Sequence, residues 1–171
     1  ILENKLYPAP EPRVVVAHVR EPRRPLRIGY VGLLRCPQSW SLIRQIAPVL
    51  EGVASFYLHG YPTFMSEEEL GREAADTPNI HYLGRYRYPD DLADIYAGVD
   101  LAWGFDFSDV HGNSRWLLPN RLYESAAFGV PIIAQAGTQT GDWVTERGTG
   151  WALAGDLQRG IPSFLAGLDS D

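Results

Sequence analysis

The sequence is short of the residue types that several enzyme classes require. It has one cysteine, Cys36, so neither a disulfide framework nor a cysteine-based zinc site can form within the chain. It has one lysine, Lys5, beside fourteen arginines. A P-loop needs a Gly-Lys pair, which is missing, and a Schiff base could use only Lys5, near the start of the chain. No G-x-S-x-G elbow and no H-E-x-x-H pair occurs. The histidines, His18, His59, His81 and His111, stand far apart, so a His-rich metal cluster has little support. No apolar run approaches the roughly 20 residues of a membrane span, and no basic-then-apolar leader opens the chain. The first residue is Ile1 rather than Met, which suits a piece of a longer protein.

What is present is an ordinary globular composition, 45% apolar and 21% charged over 171 residues, enough for one domain with a core. Net charge is −6, unevenly placed. Residues 1–27 carry six basic and three acidic groups (+3), whereas residues 28–171 carry nine and eighteen (−9). An acidic body argues against duplex nucleic acid, whose phosphates need a basic face. The basic start permits contact with an anionic membrane surface or another domain, but a solvated linker is the plainer and preferred reading.

Five prolines punctuate residues 1–27, which read as a linker or arm, with the compact domain at 28–171. From there short apolar runs alternate with helical patterns. Strands are expected at 28–34, 53–58, 80–83, 99–103, 131–134 and 151–153. Helices are expected on the 42–50 face, after Ser66, after Pro89, at 119–128, at 139–146 and at 158–167. Buried strands alternating with amphipathic helices predict an α/β, Rossmann-like, doubly wound parallel sheet with helices on both faces. Ligands of such sheets bind beyond the carboxyl ends of the strands.

The strongest local signal is the run from Leu118-Pro119-Asn120-Arg121 through Glu124 to Phe128-Gly129-Val130-Pro131. On a helix Asn120, Arg121 and Glu124 share a face that starts at the N-terminus, where free N–H groups and the dipole favour an anion. Arg121 can hold a phosphate, and Glu124, one turn deeper, can accept from a vicinal diol such as ribose. The competing reading is an i, i+3 surface ion pair of little consequence. Thr138, Thr140 and Gly141 either line phosphates or cap a helix, and Cys36 is either activated by Arg35 or a buried inert thiol. His59 and His81 read as structural.

This run resembles the donor-binding helix of the GT-B glycosyltransferases of group 1 (family 4-like), with its Pro-Asn-Lys/Arg-x-x-Glu-x-x-x-x-Gly-x-Pro pattern. The likeness extends to Ile28-Gly29-Tyr30-Val31-Gly32, to Asn79-Ile80-His81-Tyr82-Leu83-Gly84, and to Tyr96-Ala97-Gly98-Val99-Asp100-Leu101. It implies the carboxyl-terminal, nucleotide-sugar-binding half of a hexosyltransferase, closest to enzymes of bacterial exopolysaccharide assembly. The donor would be UDP- or GDP-linked, with Glu124 on the ribose and Arg35, Asn120 and Arg121 on the diphosphate. Arg85 and Tyr86 would meet the base, and Asp106, His111 and Asn113, in the loop after the fourth strand, the sugar. No metal is implied. The partners would be an amino-terminal acceptor domain of the same polypeptide and a carbohydrate or lipid-linked acceptor, in the cytoplasm or peripherally at the membrane. The second glutamate of a retaining subset would fall at Trp116, so that paired signature is missing. Alternatives are one half of a nucleotide-sugar epimerase and a non-catalytic α/β interaction module.

Overall fold

Six parallel strands form one sheet, in the order β3-β2-β1-β4-β5-β6. The computed structural model describes residues 24–107 and 118–168. The strands are β1 (Leu26–Leu34), β2 (Ala54–Pro62), β3 (Ile80–Gly84), β4 (Leu101–Trp103), β5 (Ile132–Gln135) and β6 (Gly150–Leu153). The helices are α1 (Pro37–Ile46), α2 (Glu67–Ala75), α3 (Leu92–Ala97), α4 (Asn120–Ala127), α5 (Gln139–Arg147) and α6 (Leu157–Gly167). The order is the doubly wound one, with the switch point between β1 and β4, from which successive units run outward in opposite directions.

Period-2 alternation assigns each strand residue to one of two cores. Ile28, Tyr30 and Ile133 pack with Trp40, Ile43, Ile161 and Leu165 under α1, α2 and α6. Val31, Ile132 and Ala134 pack with Tyr96, Leu122 and Val144 under α3, α4 and α5. A sheet covered on both faces requires the near-continuous apolar strands seen in the sequence. Helix starts follow local chemistry. Ser66 accepts from Glu69 N at 3.1 Å and Thr138 from Gly141 N at 3.1 Å. Among the described residues no helix is long and apolar enough to cross a membrane.

Several expected boundaries shift, among them the end of β2, expected at residue 58 and found at Pro62. Strand β1 begins at Leu26, and Arg24 already donates to Val53 O and Leu165 O, so ordered structure starts before residue 28. Helix α1 begins at Pro37 and gives way after Ile46 to a 3₁₀ turn, Ala47–Leu50; Pro48 has no N–H and would crowd the carbonyl four residues back. Helix α3 begins at Leu92, because the Asp91 carboxylate accepts from Arg87 N at 2.7 Å and holds residues 87–91 as a turn.

At the carboxyl end of the β1–β2 ladder Gly32 pairs with Gly60. Gly60 has φ +133°, and a Cβ there would lie 1.8 Å from Gly32 O. Gly52 has φ +78° and open space around it. Gly60→Ala is therefore expected to cost roughly 2 kcal/mol or more in urea unfolding, against about 1 kcal/mol for Gly52→Ala. Equal costs would refute the close approach as the reason for Gly60.

Candidate functional site

Beyond the carboxyl end of β1, at the switch point, lies a cleft of about 290 Å³. Val31, Gly32 and Leu33 line it from β1 and Arg35 from just after it, Tyr86 and Tyr88 from the segment after β3, and Pro119, Asn120, Arg121 and Glu124 from the start of α4. A second hollow of about 230 Å³ adjoins it, sharing Gly32, Leu33, Tyr86 and Tyr88 and adding Gly60, Tyr61 and Arg85. Of the described residues expected at the site, Arg35, Asn120, Arg121, Glu124, Arg85 and Tyr86 thus converge on two joined hollows. His111 and Asn113 lie outside the described residues, as do Asp109 and Trp116.

The surface ion-pair reading of Arg121 and Glu124 does not survive, because both side chains are interior. Arg121 is 6% exposed and Glu124 3%. The Arg121 guanidinium lies over the Tyr30 ring, 4.9 Å from its centroid, and its Nε and Nη2 are buried without a hydrogen-bond partner. A buried cation with unmet donors is costly unless an anion meets it. It stands in the first turn of α4, where Leu122 N donates to Pro119 O at 3.0 Å and the N–H groups of Asn120 and Arg121 precede the helix's own hydrogen-bond ladder. Asn120 stands exposed at that helix tip, and the cap residue before it, Pro119, makes no side-chain capping bond. The Tyr30 hydroxyl beneath is also unpartnered, its pKa pushed up to about 12 by burial, with Arg121 opposing the rise.

Among the described residues Glu124 accepts one hydrogen bond, from Tyr96 Oη to Oε2 at 3.0 Å. Burial raises its pKa above the usual carboxylate value, while the Tyr96 bond and the Arg121 charge act against the rise. Tyr86, half-buried in the wall between the hollows, is pushed up to about 12 by burial and then by Glu124.

Arg35 faces the cleft, but its guanidinium is already engaged. Its Nε and Nη2 donate to Asp106 Oδ2 at 3.0 and 2.7 Å, and the Asp106 side chain is only 6% exposed. Asp106, expected on the sugar, is placed as the partner of Arg35. The neighbouring residues bring the two together. The Cys36 thiol is buried and accepts from Ser39 N at 3.3 Å and Phe107 N at 3.1 Å, capping α1 and clipping it to the exit of β4. Cys36 is thus a structural acceptor. Arg85, expected at the base, lies at the second hollow, salt-bridged to Glu67 at 2.7 Å and stacked 4.1 Å from the Tyr61 ring centroid. Thr138 and Gly141 serve as an ordinary helix cap. Burial lowers the His59 pKa, and His81 packs on the Tyr57 ring at 4.7 Å.

Sequence reasoning missed Tyr96, Tyr30 and Tyr88. Tyr96 and Tyr30 read as apolar positions of a helix and a strand. Only their hydroxyls, in a site rich in charge, signal anything more.

No family model matches the chain. It is 37% identical to the succinoglycan biosynthesis protein ExoL of Rhizobium meliloti (strain 1021), over 86% of this chain and 36% of that protein. Its fold matches that of HepE of Anabaena, solved in complex with UDP-glucose, with a TM-score of 0.62 at 14% identity, over 85% of this chain and 40% of that one. It also matches the lipopolysaccharide outer core galactosyltransferase WaaB, with a TM-score of 0.56 at 16% identity, over 83% of this chain and 38% of that one. The chain spans well under half the length of each.

The raised pKa of Glu124 has a consequence for stability. The folded carboxyl holds its proton more tightly than the unfolded one, so the folded state binds more protons between the two pKa values. Stability therefore falls as pH rises from about 4.5 to the elevated folded pKa, and the loss is complete above it. In denaturant titrations over pH 4–8 the gap between Glu124→Gln and the parent should widen in the mutant's favour across that window, then stay constant. A gap that does not change with pH would rule out Glu124 as the titrating group.

Proposed function

We propose that this chain, whose fold is that of one Rossmann-like half of the GT-B glycosyltransferases, is the domain that holds the nucleotide-sugar donor. The observation that carries the reading is the buried Arg121, with two unmet donors, at the tip of a helix whose next turn presents the Glu124 carboxylate to the same cleft. A cation and free N–H groups at a helix N-terminus suit a diphosphate. A carboxylate one turn in suits the ribose diol. The adjoining hollow, walled by Tyr86, Tyr88 and the Arg85–Tyr61 stack, is left for the base.

In transfer, the bond from the anomeric carbon to the diphosphate breaks and negative charge accumulates on the leaving phosphate. Arg121 and the α4 tip form a preorganised positive surface for that charge, with Arg35, held by Asp106, at its edge; this is the kind of stabilisation that contributes most to such steps. The acceptor, a carbohydrate or lipid-linked saccharide, and any catalytic base belong to an amino-terminal domain facing the cleft. Likeness to a succinoglycan biosynthesis protein supports polysaccharide assembly as the setting, and likeness to a fold solved with UDP-glucose supports a uridine nucleotide.

Calorimetric titration of the chain with UDP, GDP and ADP tests the reading. We expect one nucleotide, UDP, to bind, and Glu124→Ala to weaken it about tenfold or more, the value of hydrogen bonds to a charged group. The chain alone should show no sugar transfer in an assay with donor and acceptor. Absence of binding by a demonstrably folded chain would overturn the proposal, and full turnover would overturn the division of labour.

A further inference from the structure

Glu124 is held in a way its own helix does not explain. It is almost wholly buried, yet among the described residues one group alone hydrogen-bonds to it, Tyr96 Oη from α3. Arg121, on the same helix, contributes charge but no hydrogen bond. The Tyr96 ring is fixed in turn, stacked on Phe128 at 5.3 Å and 11°. Phe128 lies just beyond the end of α4, so the ring is gripped by the C-terminus of the helix whose first turns carry the cleft's charges. The bond occupies Oε2. Oε1 accepts nothing from any described residue, and Glu124 lines the cleft.

We propose that Tyr96 is a positioning residue that fixes the Glu124 carboxylate with Oε1 toward the cleft, and that this bond sets a preference for nucleotides bearing ribose hydroxyls. The inference rests on reading the cleft as a nucleotide site. A glutamate side chain has three free torsions, and a ligand that must order it loses affinity to that ordering. Tyr96 supplies the order before the ligand arrives. Its hydrogen bond also favours the charged form of the carboxyl, in opposition to burial. The other groups facing the carboxylate, Arg121 on α4 and Tyr86 and Tyr88 after β3, are not hydrogen-bonded to it.

The test compares UDP with 2′,3′-dideoxy-UDP, which lacks the hydroxyls Glu124 would accept from. Affinities for both are measured calorimetrically on the parent chain, Tyr96→Phe and Glu124→Gln, each checked for cooperative unfolding. Tyr96→Phe keeps the stacked ring and removes one oxygen. The parent is expected to prefer UDP by about tenfold. Tyr96→Phe and Glu124→Gln should each bring that ratio down to within about threefold, with dideoxy-UDP affinity unchanged. A ratio preserved in Tyr96→Phe, or equal weakening of both ligands, would make Tyr96 a core residue and overturn the proposal while leaving the donor site standing. A parent that binds both ligands equally would remove the ribose role of Glu124, and the proposal with it. A parent that binds neither would overturn the donor reading and this proposal together.

Discussion

Everything at the cleft depends on the placement of β1 between β2 and β4. It pairs along its whole length with β2 on one side and at Ile28 and Gly29 with β4 on the other. Its residues are divided between the two cores, so the strand has no freedom to slip: a shift of one residue would exchange Tyr30 and Val31 between faces. Tyr30 is the ring under Arg121, and Val31 and Gly32 form the cleft wall. The register of a single hydrogen-bond ladder therefore sets where the cation sits and where the backbone leaves room beside it.

On that platform the polar groups are held in unequal ways. Glu124 is fixed by a tyrosine hydroxyl from another helix, and Arg35 by a carboxylate from the exit of β4. Arg121 is buried but meets no hydrogen-bond acceptor through its Nε and Nη2. Two groups are oriented and one is left with unmet donors, which is the arrangement the donor proposal relies on. The rest of the lining, Leu33, Leu118 and the tyrosine rings, is largely apolar, which strengthens charge interactions beside it.

The fold was largely legible in the sequence because its signals are local. Apolar runs of strand length, a serine cap before Glu67 and the Pro119-to-Gly129 frame each depend on neighbours a few residues away. The start of α1 was missed because its cap is a cysteine, which is not an expected capping residue, and its end because Pro48 lies within an otherwise helical pattern. At the site, spacing alone put Asn120, Arg121 and Glu124 together at the start of one helix. It did not reveal that two of them are buried, since that depends on Tyr30 and Tyr96, far away along the chain. Asp106 and Arg35 are 71 residues apart, and no local pattern links them. An aromatic ring on an apolar face reads as core, and Tyr96 is core. Its hydroxyl is also a polar contact, which a hydrophobicity pattern does not record.

The Arg35–Asp106 pair also constrains how this sequence can change over generations. Asp106 is almost wholly enclosed, so loss of Arg35 would take a cation away from a buried carboxylate. Loss of Asp106 would release a cation next to the cleft. Each single change is therefore disfavoured, and a swap to an uncharged pair must pass through a worse intermediate. The pair links two separate parts of the chain, and the clip from Cys36 to Phe107 ties the flanking backbone together on both sides. Lineages carrying this domain would be expected to alter Arg35 and Asp106 together or not at all.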